Sequence, residues 1–139
     1  MAEAIARRLA AERGMADLVI GSAGVGAVSG TPASDGALLV ALEHGLDLGS
    51  HRSRLATPEI VAAADLVLTM GESHAQRMAE LGGAGRSHVL PEYATSGAVR
   101  ENVSDPFGAN LEVYRRTFAE LERYVDLALT RLASERSSS

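Results

Sequence analysis

Residues 64–74 read Ala-Asp-Leu-Val-Leu-Thr-Met-Gly-Glu-Ser-His, ADLVLTMGESH, and the class of fold turns on them. Leu66 to Met70 is a short apolar run without polar alternation, the pattern of a strand covered on both faces. Glu72 or Ser73 then opens a helix that Gly82-Gly83 stops, with an acid set against the dipole of its first turn. A buried strand feeding straight into a helix is the repeating unit of a parallel sheet. Two similar runs flank it, Asp17-Leu18-Val19-Ile20-Gly21 and His88-Val89-Leu90-Pro91. Further helices are predicted from Thr31-Pro32 or Ser34-Asp35 to about His44, and from Thr57-Pro58-Glu59 onward. Asn110 caps a last helix, on which Leu111, Tyr114, Phe118, Leu121, Val125, Ala128 and Leu132 share one face. The stretch holding Gly24, Gly26, Ser29, Gly30 and Pro32 reads as loop. The expected architecture is α/β in three layers, a parallel sheet with helices on both faces.

The chain starts inside an amphipathic helix, MAEAIARRLAAERG. Ile5 and Leu9 fall one turn apart, Arg7, Arg8, Glu12 and Arg13 face the other way, and Gly14 supplies the stop. No Ser, Thr, Asp or Asn precedes Met1 to take up the first free N–H groups. The helix reads as one whose beginning is missing.

With 139 residues, the chain fits a single domain, expected over residues 1–133, with a disordered serine-rich tail over 134–139. A net charge of -5 argues against a nucleic-acid or anionic-membrane partner. No apolar run approaches the length of a membrane span, and the first helix lacks the apolar centre of a secretory signal. The expected compartment is the cytoplasm. There is no cysteine, which excludes disulfides, thiolate metal sites and any cysteine nucleophile within this chain. The four histidines have no ligand-like spacing, so neither a metal nor a cofactor is expected.

Ser104-Asp105-Pro106-Phe107-Gly108, in the long aperiodic stretch from Glu92 to Ala109, is the sharpest local signal. It reads as simple turn punctuation before the Asn110 cap, or as a loop carboxyl beside an aromatic wall. In the second reading partial desolvation would raise the pKa of Asp105 and make it a general acid. His51 stands with Arg52 and Arg54 in GSHRSR, either a solvated loop or a basic loop that contacts an anion. Gly21-Ser22-Ala23-Gly24 follows a predicted strand but leads to no helix and has no Walker lysine. It reads as close backbone packing with one hydroxyl free for a supporting hydrogen bond.

The order of these pieces resembles the low-molecular-weight protein tyrosine phosphatase family. MAEAIARRLAAERG, GSAGVGAVSGTPAS, HGLDLGSHRSRLATPE, ADLVLTMGESH and VSDPFGANLEVYRRTFAELE match family segments in order and span most of the chain. Asp-Pro-Phe-Gly, with LPEY before it, is similar to bacterial members, the protein arginine phosphatases among them. The resemblance implies a sheet of four strands in the order 2-1-3-4, whose first, central strand has no match here. Nor has the loop C-x-x-x-x-x-R-[ST]-P that would precede Met1, from which a start-site error, a shortened chain or a genuine loss would follow equally.

The implied reaction transfers a phosphoryl group to a cysteine thiolate, while an aspartic acid protonates the leaving group and then activates water. The implied substrates are a phosphorylated protein or a small aryl phosphate. Residue by residue, Asp105 carries over as the acid and Phe107 as the substrate wall, with Ser22 and His51 as supports near the loop. Gly71 stands where the family carries an acid. Without its nucleophile the chain is expected to be inactive and marginally folded, with exposed strand edges. A non-catalytic remnant that binds phosphorylated partners is the alternative; an arsenate reductase, which needs further cysteines, fits poorly.

Overall fold

A computed structural model describes residues 1–24 and 30–137. Gly26 and Ser29, expected in a loop, lie outside the described residues. The elements in order are α1 (Ala2–Glu12), α2 (Asp35–Glu43), α3 (Pro58–Ala63), β1 (Val67–Thr69), α4 (Glu72–Met78), β2 (Ser87–Val89), α5 (Leu90–Ala94) and α6 (Leu111–Ser137). A π-type turn, Ala79–Gly83, ends α4 where Gly82 takes a φ of 107° that only glycine adopts without strain.

The caps follow the local chemistry. The Thr57 hydroxyl accepts the Ile60 N–H at 3.2 Å, and the Asn110 carbonyl oxygen of the side chain accepts the Val113 N–H at 3.1 Å. Helix α1 has no side-chain cap, as its composition implies.

The core lies where α1, α2 and α5 meet α6. Ile5, Val40 and Phe118 are wholly buried and Leu90 nearly so. The His44 ring stacks on Phe118 with centroids 4.1 Å apart, and Arg8 donates to the His44 carbonyl at 2.5 Å. Gly36 is set by close approach: a Cβ there would come within 2.4 Å of the Tyr114 ring.

The sheet is parallel but small. Strands β1 and β2 pair in the register Val67 with Ser87, Leu68 with His88 and Thr69 with Val89, and α4 and α5 pack on them. The run Asp17–Gly21, expected as a strand, forms none. A strand needs a ladder partner, and among the described residues none pairs along it. Arginine side chains satisfy its carbonyls instead. Arg7 donates twice to the Ile20 carbonyl, at 2.7 and 3.2 Å, and Arg54 donates to that of Ser22 at 2.8 Å. Leu18 and Ile20 rest on the core while Val19 is fully exposed, so the expected cover on both faces is missing here.

Two other expectations change. His88–Pro91 is strand only to Val89, because Pro91 has the φ and the missing N–H that suit the first turn of α5. Helix α6 runs to Ser137, past the expected start of the tail at Ser134, and Ser138 and Ser139 lie outside the described residues. Arg131 pairs with Glu135 one turn away at 2.8 Å, Arg136 pairs with Asp17, and the Tyr93 hydroxyl donates to Glu135 at 2.9 Å. Among the described residues no helix is long and apolar enough to cross a membrane.

Candidate functional site

The segment after Ile20 runs past the first turn of α1, and that crossing builds a cleft. Glu3 accepts the Ser22 hydroxyl at 2.9 Å and stands 3.5 Å from Arg7, its i+4 neighbour. Arg54 lies flat against Gly21, where a Cβ would come within 2.6 Å of its Nη2. On the far side, the turn after Leu46 brings up His51, half-buried, whose N–H donates to the Leu48 carbonyl at 3.0 Å. Asp47 holds this turn by accepting the Gly49 N–H at 2.8 Å. The open cleft holds about 560 Å³ and is lined by Ser22 and His51 together with Arg7, Arg8, Arg52 and Arg54. Ser22 and His51, 29 positions apart by subtraction, thus share one cleft.

The acid loop is anchored elsewhere. Val103 donates its N–H to the Met70 carbonyl at 2.7 Å, just beyond β1, and the Asn102 side chain accepts the Glu72 N–H at 3.2 Å, serving as the cap that α4 lacks. The loop therefore leaves from the carboxyl end of β1, the end at which open α/β sheets bind ligands. Asp105 accepts the Phe107 N–H at 3.0 Å through its own side chain, an Asx turn, and the Ala109 N–H donates to the Pro106 carbonyl at 2.8 Å. This geometry is that of a turn. The expected shielding of the acid is missing: Asp105 is exposed, and the Phe107 ring, 78% exposed, leaves the carboxyl in water. Neither residue lines the cleft of Ser22 and His51.

Position 71 has room. A Cβ on Gly71 would meet Asn102 and the His74 ring only at 3.7 and 3.8 Å, ordinary contact distances. Among the described residues, no three His, Asp or Glu side chains converge where they could hold a metal ion.

Sequence reasoning missed Glu3, Arg7 and Arg8 as cleft residues. The signal was present in part, since Glu3 and Arg7 are spaced to face one way from the opening turn of α1. Nothing local shows that residues 20–22 cross in front of them.

A small parallel sheet, a long final helix and an Asp-Pro loop beside the carboxyl end of β1 make up an α/β arrangement. Solved structures share it. The YwlE arginine phosphatase, in a mutant whose seventh residue is a phosphorylated active-site serine in place of cysteine, superposes with a TM-score of 0.90. The two are 31% identical over 99% of this chain and 90% of that one. A low molecular weight protein tyrosine phosphatase from T. tengcongensis gives 0.86 at 33% identity, over 94% and 88%. Among curated proteins, the protein-arginine-phosphatase of Bacillus subtilis is 34% identical over 98% of this chain and 89% of its own length. The probable tyrosine phosphatase EpsP of Ralstonia solanacearum is 30% identical over 80% and 74%. The family model for low molecular weight phosphotyrosine protein phosphatases matches residues 1–138. This chain belongs to that family.

Proposed function

We propose that this chain carries the proton-donating part of a protein phosphatase site and performs no phosphoryl transfer by itself. The observation that carries the reading is the pairing of a family fold with a complete absence of cysteine. In the full reaction a thiolate attacks phosphorus and the bond to the leaving oxygen or nitrogen breaks, with the acid's proton passing to the departing atom. Water then attacks the phosphocysteine, gives a proton to the same carboxylate, and the thiolate leaves. Asp105 fits the acid: it stands on the loop that departs from the carboxyl end of β1, fixed by its own Asx turn. Phe107 beside it offers an exposed ring against a flat or extended substrate group. Ser22 and His51, which line one cleft, take the role of supports near the nucleophile loop in this reading. Relatives named for phosphotyrosine and for phosphoarginine both lie at comparable identity, so the proposed substrate class is a phosphorylated protein side chain.

The test extends the chain ahead of Met1 by an apolar strand and a C-x-x-x-x-x-R loop and measures phosphate release from an aryl phosphate. Turnover should appear, and Asp105→Asn in the extended chain should lower it by about 10²–10⁴-fold. Undiminished turnover in that variant removes Asp105 from the acid role. A binding module for phosphorylated partners is the second reading, favoured by the arginine-lined cleft.

A further inference from the structure

We propose that Asn102 is a positioning residue for the acid loop: its side chain fastens that loop to the first turn of α4 and so sets where Asp105 stands. The inference rests on the reading of Asp105 as the proton donor and adds the residue that holds the donor in place. Where β1 gives way to α4, Gly71 takes the N-cap position and has no side chain to serve as a cap. The first N–H groups of a helix have no partner within the helix itself. Asn102, 30 positions away, supplies one, its Oδ1 accepting the Glu72 N–H at 3.2 Å. A Cβ on Gly71 would meet Cγ and Oδ1 of Asn102 at 3.7 and 3.8 Å, so the amide lies against the bare glycine.

The receiving end of this clip is itself fixed. The Thr69 hydroxyl, on a buried residue at the end of β1, donates to the Gly71 carbonyl at 3.0 Å. The same carbonyl accepts the Ala75 N–H at 3.1 Å and closes the first turn of α4. One residue beyond Asn102, the Val103 N–H donates to the Met70 carbonyl at 2.7 Å. Asn102 through its side chain and Val103 through its backbone therefore grip the two peptide units that flank Gly71. A single bond at Val103 would leave the loop free to twist about the N–H···O axis. The bond from Asn102 removes that rotation.

The constraint reaches the acid over a short path. Only Val103 and Ser104 separate Asn102 from Asp105, and the Asx turn ties Asp105 to the Phe107 N–H at 3.0 Å. Val103 and Pro106 are buried, while Ser104, Asp105 and Phe107 are exposed, so the carboxyl stands out from a seated backbone. A proton donor works only within hydrogen-bond reach of the departing atom, and a small displacement is costly in rate. The cost is greatest where the departing oxygen is strongly basic and most needs the proton. Asn102 is itself exposed, so truncating it opens no cavity in the core.

The test has two arms. In the 139-residue chain, NMR of Asn102→Ala should show the Glu72 N–H exchanging faster and residues 103–107 gaining fast backbone motion, with helical circular dichroism unchanged. Asn102→Asp, which keeps an acceptor oxygen, should behave as the parent. The second arm uses the chain extended ahead of Met1 by a strand and a C-x-x-x-x-x-R loop. There kcat/KM is compared for phenyl phosphate and for p-nitrophenyl phosphate, whose weakly basic leaving oxygen asks little of an acid. Asn102→Ala should lower the first about tenfold and the second less than about twofold, and Asn102→Asp should restore both. Equal losses on the two substrates, or a loop as ordered in Asn102→Ala as in the parent, overturn the proposal. Asp105→Asn, measured alongside, separates the two claims. No loss in that variant removes the acid reading itself, whereas a loss there beside an unaffected Asn102→Ala removes this inference alone.

Discussion

The helical side of this molecule and its sheet side are finished to different degrees. Four helices close on one another around Ile5, Leu90 and Phe118 and bury all three side chains. On the sheet side, among the described residues, β1 pairs on one edge only, and the apolar run beside Gly21 has arginine forks where a strand would have a neighbour's amides. Alternation along β1 turns the N–H and C=O of Leu68 away from β2, toward that open edge. Packing preserves a recognisable fold, while the chemistry of this family depends on the side that packing does not complete.

Mutation should separate the two sides by size of effect. Phe118→Ala removes a wholly buried ring that His44 stacks on, and should cost about 3–5 kcal/mol in denaturant titrations, enough to unfold a marginal chain. Val19→Ala, at a fully exposed apolar site, should stay within about 0.5 kcal/mol of the parent. A large loss at Val19 would mean that the run is packed in solution, and the contrast would collapse.

The contact between α5 and α6 gives an intermediate effect and a pH signature. Burial, then the hydrogen bond to Glu135, push the Tyr93 phenol from 10.0 up to about 12. A raised folded value means that this stability is fully present below pH 10 and is lost as pH rises toward 12. Glu135 is held below its usual range, first by the Tyr93 hydroxyl and then by Arg131. Its share is present above the ordinary carboxylate value and disappears as pH falls through the lowered one. Tyr93→Phe should cost about 1 kcal/mol at neutral pH and flatten the alkaline decline in melting temperature. A decline that persists unchanged would assign it to other groups.

Smaller effects concern the open edge and α4. Exposed strand edges invite pairing with another chain, so Val19→Lys should reduce concentration-dependent light scattering with little change in melting. Scattering that does not respond would place self-association elsewhere. Gly71→Asp should raise stability by a few tenths of a kcal/mol, since it supplies an N-cap where the contact distances leave space.

What the sequence discloses follows the same division. Asn110, Thr57 and the period of α6 announce their helices because caps and amphipathic spacing are local. Leu66–Met70 announces a strand for the same reason. The run at Val19 carries an equally strong strand signal, yet its state depends on what lies alongside, which no property of five residues contains. His88–Pro91 reads as a strand throughout, yet Pro91 suits the first turn of α5, where Tyr93 and Ala94 behind it are buried. Ser22 and His51 reach a common cleft through tertiary contacts that only the family resemblance anticipated. The exposed setting of Asp105 was not legible, because desolvation depends on what covers the loop.

The most direct measurement is phosphate release from an aryl phosphate and from phosphoarginine by the 139-residue chain, against buffer alone. The account predicts release at the rate of the buffer control, since no thiolate is available to take the phosphoryl group. Saturable turnover above that background, lost when Asp105 is changed to Asn, would contradict it and require a nucleophile other than cysteine.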